Sequence, residues 1–217
     1  MDHDFWLQRW RDNQIGFHQP AVNAGLKRFW PRLAIAPGAG VFVPLCGKSR
    51  DLLWLAQQYR VMGLELSQKA VADFFTETRQ QPREHEDGPF TVYSSGKVSL
   101  YCGDYFQLQP GTLEGVAAVY DRAGLIALPK AMRQRYVELL TRLLDPGVSM
   151  LLLSMDYQQA QMDGPPFAVA SAEVKALFAA HWRIELLQRA DILDQEPKFR
   201  ARGLTYLKEK IYRLVRR

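Results

Sequence analysis

Four short turns hold the residues best suited to chemistry: PLCGK (44–48), GLELS (63–67), CGDYF (102–106) and YDRAG (120–124). Each stands at the end of a segment that reads as a strand. A bound nucleoside makes three demands on such turns. It needs a glycine where the backbone passes close to the ligand, an acid about 20 residues further on to accept both ribose hydroxyl protons, and a surface for the base. Gly47 and Glu65 stand at about that interval. Asp104 can accept a hydrogen bond from an adenine amino group, and Tyr105 beside it can cover the ring. Plainer readings compete at each position. Glu65 can be a polar strand end, Asp104 ordinary Gly-Asp turn chemistry, Trp10 a packing aromatic, and Arg122 half of a weak surface pair with Asp121. What favours a site is that all four turns fall on the same predicted edge of one sheet.

Other chemistries find less support. The dinucleotide fingerprint GxGxxG is missing, which speaks against a nicotinamide-dependent oxidoreductase. The phosphate loop GxxxxGK[ST] would end suitably at Gly47-Lys48-Ser49, but its first position is Phe42 rather than glycine. Cys46 and Cys102 form no CxxC pair, and His3, His18, His85 and His181 are isolated. Reduced thiols and no metal site are therefore expected. Cys46 is a nucleophile on paper, yet no Ser-His-Asp or Cys-His set points to a covalent intermediate.

The elements that must position these turns follow from the apolar pattern. Residues 1–30 read as one or two amphipathic helices, with Phe5, Trp6 and Trp10 on one face. Pro31 and Pro37-Gly38 punctuate the chain. VFVPL (41–45) reads as a buried strand, LLWLAQQ (52–58) as a helix and YRVMGLEL (59–66) as a second strand. Ser67 can cap the helix QKAVADFF. Residues 79–89 are polar, hold two prolines and a glycine, and read as a surface loop. FTVYSSGKVSLYC (90–102) gives two strands around a turn. GVAAVYD (115–121) is another strand, and Pro129 opens a helix through Met132, Tyr136, Leu139, Leu140 and Leu143. VSMLLLSMDY (148–157), a helix near 171–180, and the strands WRIELLQ and LTYLKEKIYRLV complete the chain.

Strands alternating with helices predict βαβ units. The expected fold is α/β: a Rossmann-like, doubly wound, seven-stranded, mostly parallel sheet with an antiparallel C-terminal edge strand. An N-terminal helical lid (1–36) precedes the core (40–217), all in one domain. Such sheets bind ligands beyond the C-terminal ends of their strands.

Composition agrees with a globular chain. Of 217 residues, 47% are hydrophobic and 24% charged, enough for one sizeable core. No apolar run approaches the roughly 18 residues of a membrane helix. The N-terminus lacks the basic start and apolar stretch of a secretory signal, so a cytoplasmic protein with no membrane partner is expected. The net charge is +5, and between Lys198 and Arg217 eight basic residues face one acid, Glu209. Such a tail can bind nucleic acid. Here apolar residues interleave with the charges in TYLKEKIYRLVRR, predicting a final strand with one solvated basic face and no nucleic-acid partner. No heptad repeat or apolar edge is visible, and a monomer is expected.

The stretch VPLCGKSRDLLWLA followed by VMGLELS resembles the signature of thiopurine S-methyltransferases, which replaces the glycine-rich first motif of class I methyltransferases. FWLQRW…GFHQP, CGDYF, YDRAGLIALP and GPPF match in order and rough spacing, from about residue 5 to the C-terminus. The resemblance implies S-adenosylmethionine as cofactor, S-adenosylhomocysteine as product and a small-molecule acceptor. The acceptor would be an aromatic or heterocyclic thiol such as a thiopurine, or a selenium or tellurium species in detoxification. It implies cofactor contacts at Trp10, Leu45, Gly47, Glu65, Asp104, Tyr105 and Arg122, and substrate contacts at Phe17 and His18. Arg122 would serve the cofactor carboxylate or the reaction zone and is the one catalytic candidate. Two departures stand out: Tyr120 occupies a position that is Trp in many members, which bears on cavity shape, and Asp104 one that is Ser in mammalian-like members, which suggests a bacterial-type member.

Overall fold

The computed structural model describes residues 3–217, so Met1 and Asp2 of the expected N-terminal helix lie outside it. The chain forms two compact units, one running to Tyr120 and one from Asp121 to Arg217.

The first unit holds β1 (Gly40–Val43), β2 (Arg60–Glu65), β3 (Arg83–Asp87), β4 (Phe90–Ser95), β5 (Val98–Cys102) and β6 (Val116–Asp121), in the order β3-β4-β5-β2-β1-β6. Its centre, β5-β2-β1-β6, is parallel. Val41, Phe42 and Val43 of β1 are all buried, the unbroken apolar run of a strand covered on both faces. α3 (Asp51–Ala56) joins β1 to β2, and α4 (Gln68–Glu77) follows β2. Ser67 caps α4 as expected, its hydroxyl accepting the Ala70 N–H at 3.3 Å. α4 buries Ala70, Val71, Phe74 and Phe75, one stripe of a 3.6-residue period. Each buried phenylalanine contributes about 1.5–3 kcal/mol. Ahead of the sheet lie α1 (His3–Arg11) and α2 (Ala24–Phe29).

Residues 83–87 are a strand, not the surface loop expected. β3 reads REHED, every residue is exposed, and it pairs antiparallel with β4. With no apolar residue it carries no period-two signal. Its charges suit an edge, where they discourage pairing with another chain.

The second unit holds α5 (Gly124–Ala127), α6 (Lys130–Leu143), β7 (Ser149–Asp156), α7 (Ser171–Phe178), β8 (Trp182–Asp191), α8 (Pro197–Ala201) and β9 (Lys208–Arg216). Its strands run β7-β9-β8, all antiparallel. Among the described residues the strands number nine rather than seven. The C-terminal strand is antiparallel, but β9 lies between its neighbours and β8 takes the edge. The expected solvated basic face is accordingly absent. Ile211, Tyr212 and Leu214 are buried, and Lys210, 3% exposed, pairs with Asp156. Arg213 faces Glu185 across the β8–β9 pair at 3.6 Å. A second apolar cluster of Tyr157, Met162, Leu193, Phe199, Leu204 and Leu207 fixes the segments after β7 and β8. Among the described residues, no helix is long and apolar enough to cross a membrane.

Candidate cofactor site

The loop after β1 turns sharply at two left-handed residues. Leu45 has φ +48° and Gly47 φ +54°. Glycine adopts this conformation freely, whereas a leucine there stores roughly 1–3 kcal/mol of strain, paid for by the surrounding bonds. The Cys46 N–H donates to the Leu64 carbonyl at 2.9 Å. The Gly47 N–H donates to Glu65 Oε2 at 2.8 Å, and the Ser67 N–H donates to Oε1 at 2.8 Å. Glu65, last residue of β2, thus spans two turns with one carboxylate. Its own carbonyl accepts the Gly103 N–H at 2.9 Å, which brings in the third turn.

Glu65 is 6% exposed. Burial pushes its carboxyl upward, and the Ser67, Gly47 and Leu66 N–H groups pull it back. Each carboxylate oxygen offers about two acceptor directions. The Gly47 and Ser67 N–H groups take different oxygens, so both oxygens are fixed in place.

Trp10 covers the glycine. A Cβ added at Gly47 would stand 3.1 Å from Trp10 Cζ2. Trp10 is 3% exposed, and its ring meets Phe17 edge-on at 5.6 Å. Phe17 also meets Trp6 at 5.5 Å and is 40% exposed. His18 is half-buried beside it, its N–H donating to the Ile15 carbonyl.

Asp104 caps the short 3-10 turn Tyr105–Gln107, with Oδ1 accepting the Phe106 N–H at 2.9 Å. Its Oδ2 stands 3.4 Å from His3 Nε2. Tyr105 is buried and meets Phe106 edge-on at 5.4 Å, while Phe106 is half-buried. Trp10, Leu45, Gly47, Glu65 and the start of the Asp104 turn are therefore tied together within the first unit. Arg122 belongs to the second unit. It is half-buried, and its positive charge lowers the pKa of Glu209 on β9, which burial and Glu196 raise.

Several polar residues escaped sequence reading. Lys48 is buried and pairs with Glu77 of α4 at 2.5 Å, with Asp73 at 3.9 Å. Asp51 is buried and holds Asn23 and Tyr120. An acid at the start of a helix was the one available signal for Asp51. Tyr120, expected to shape a cavity, is 1% exposed and packs edge-on with Trp30 at 6.3 Å.

The surroundings of both thiols favour their protonated form. Burial, then the Glu65 charge, pushes Cys46 far up and Cys102 up to about 11. A thiol is reactive as thiolate. Native protein treated with iodoacetamide at pH 7.5 should show neither cysteine modified by mass spectrometry after an hour. Rapid labelling of either would contradict this reading.

In the second unit Asp121 is fully buried, accepting the Gly124 N–H and the Tyr136 hydroxyl, each at 2.8 Å. Burial raises its pKa to about 6, against the opposing hydrogen bonds. A carboxyl raised in the folded state favours folding fully below its unfolded value near 4, and loses that contribution as pH rises through 6. Asp121→Asn keeps both contacts, with its amide donating to the tyrosine oxygen. Relative to wild type it should gain on the order of 3 kcal/mol between pH 4 and pH 7, measured by urea unfolding. Equal differences at both pH values would refute the assignment.

The left-handed glycine loop after β1 is thus tied through the Gly47 N–H to a buried acid at the end of β2. A family model for thiopurine S-methyltransferase matches residues 1–217. A thiopurine S-methyltransferase of Pseudomonas fluorescens is 51% identical over 99% of both chains. One of Azotobacter vinelandii is 49% identical over the whole of both. The chain belongs to the thiopurine S-methyltransferase family and is a methyltransferase. Among solved structures, one from echinomycin biosynthesis, described as converting a disulfide bond into a thioacetal group, has a TM-score of 0.68 at 18% identity, covering 99% of this chain and 92% of that one. The 1,6-didemethyltoxoflavin-N1-methyltransferase of Burkholderia thailandensis has a TM-score of 0.59 at 15% identity, covering 97% and 86%. These likenesses concern the fold.

Proposed function

We propose that the chain transfers a methyl group from S-adenosylmethionine to the sulfur of aromatic and heterocyclic thiols, thiopurines among them. Its cofactor is S-adenosylmethionine and its product S-adenosylhomocysteine. The observation that carries the reading is the buried Glu65 carboxylate, held by the Gly47 and Ser67 N–H groups on different oxygens. Its two oxygens receive the two ribose hydroxyls. Leu45 and Gly47 supply the close backbone approach, and Trp10 closes over them. The Asp104–Tyr105 turn serves the adenine side.

The sulfonium supplies a methyl group whose departure needs no acid. The protein's work is alignment and exclusion of water. Phe17 and His18, on the segment after α1, wall the acceptor. The exposed face of Phe17 suits a flat ring. Arg122 holds an anionic group, either the cofactor carboxylate or a thiolate acceptor. Methylation of selenium and tellurium species is the same chemistry on softer nucleophiles and forms part of the proposal. So do a single functional domain with residues 1–36 as lid, a monomer, and a cytoplasmic location.

A radiolabelled methyl-transfer screen tests this, with 6-mercaptopurine, thiophenol, selenite and tellurite offered side by side. Label on an aryl or heterocyclic sulfur is the expected result. Label on none of the four would overturn it.

A further inference from the structure

The structure assigns Asp51 as a positioning residue that fixes the acceptor-side segment against the cofactor loop. This rests on the function proposed above. Asp51 is the first residue of α3, directly after the loop that carries Leu45 and Gly47, and is 1% exposed. Its two oxygens point to different elements. Oδ1 accepts the backbone N–H of Asn23 at 2.8 Å, and Oδ2 accepts the Tyr120 hydroxyl at 3.0 Å. Its own N–H donates to Ser49 Oγ at 3.2 Å, inside the cofactor loop.

Asn23 is the residue where the segment between α1 and α2 ends. Its side chain caps α2 by accepting the Leu26 N–H at 3.0 Å, and its amide donates to Gln19 Oε1 at 3.3 Å. Residues 12–23 hold no helix or strand; turns such as the His18 N–H to Ile15 carbonyl bond and the packing of Phe17 on Trp6 and Trp10 shape them locally. Two anchors tie the segment to the cofactor loop and the start of α3. At one end Trp10 sits on Gly47. At the other, Asn23 hangs on Asp51. Phe17 and His18 lie between them. Both anchors are on the same loop and helix start, so a shift at Asp51 moves the acceptor wall relative to the cofactor seat. A buried carboxylate with bonds on both oxygens is well suited to this. Removing it leaves the Asn23 N–H and the Tyr120 hydroxyl without their acceptor, a cost paid by local rearrangement.

The test compares Asp51→Ala, Asp51→Asn and Tyr120→Phe with wild type in thiol methylation. Asp51→Asn is nearly isosteric. Its oxygen keeps the Asn23 bond, and its amide can donate to the rotated Tyr120 hydroxyl. Asp51→Ala should raise the KM for the acceptor tenfold or more, with kcat at saturation changed less than threefold. Trypsin should also cut faster after Arg11 in this variant. Asp51→Asn should restore the acceptor KM to within threefold of wild type. Tyr120→Phe, which loses one bond and keeps its ring, should raise that KM about threefold, and it carries the test if Asp51→Ala fails to fold. Unchanged acceptor KM in a folded Asp51→Ala or in Tyr120→Phe overturns the assignment, as does a fall in kcat alone. Calorimetry of wild type with S-adenosylhomocysteine separates the two readings. If wild type binds it and the KM values do not move, only the Asp51 assignment fails. If wild type does not bind it, the proposed function fails first.

Discussion

Glu65→Gln should lower the affinity for S-adenosylmethionine about 100-fold, while kcat at saturating cofactor stays within about threefold. The size follows from what the carboxylate does. It accepts the Gly47 N–H and the Ser67 N–H on separate oxygens at 2.8 Å each. In glutamine one oxygen becomes an NH2 that must face one of those N–H groups, so a donor meets a donor. Hydrogen bonds to a charged acceptor contribute about 1.5–3 kcal/mol each, and 1.4 kcal/mol is tenfold in affinity. Glu65 would hold the 2′,3′-diol, several bonds from the sulfonium on C5′, so chemistry in the filled site should change little. Isothermal titration calorimetry gives the affinity directly. Comparable binding by variant and wild type would remove Glu65 from the site.

Gly47→Val should weaken cofactor binding more than 100-fold and lower stability by about 2–4 kcal/mol. Two costs combine. At φ +54° a β-branched residue is strained, whereas glycine is not. The added Cβ also stands 3.1 Å from the ring of buried Trp10, which packs on Phe17 and must give way. Urea unfolding reports the stability and fluorescence titration the binding. A variant with wild-type affinity would show that the loop does not approach the cofactor closely.

Much of this was legible in the sequence because the relevant signals are local. β1 and β2 announce themselves as apolar runs, the Ser67 cap by its hydroxyl before a helical period, and Gly47 with Glu65 by spacing. What stayed hidden depends on pairing or on distance along the chain. β3, with REHED, has no apolar period and exists because β4 offers it a partner. The place of β9 between β7 and β8 is set by which strands find each other, so the basic tail looked solvated when Lys210 is in fact buried on Asp156. Asp51 reads in sequence as an ordinary helix start. Its partners Asn23 and Tyr120 lie 28 and 69 residues away, where no local rule connects them. Tyr105, read as able to cover an adenine ring, is buried beside the turn that Asp104 caps.

The account centres on Glu65 as the acceptor of a ribose diol beside a glycine loop. A crystal structure with S-adenosylhomocysteine tests this most directly. Both ribose hydroxyl oxygens should lie about 2.5–3.0 Å from the Glu65 carboxylate oxygens, with the ribose against Gly47 under Trp10. A nucleoside bound elsewhere, leaving Glu65 with only its backbone N–H partners, would contradict it.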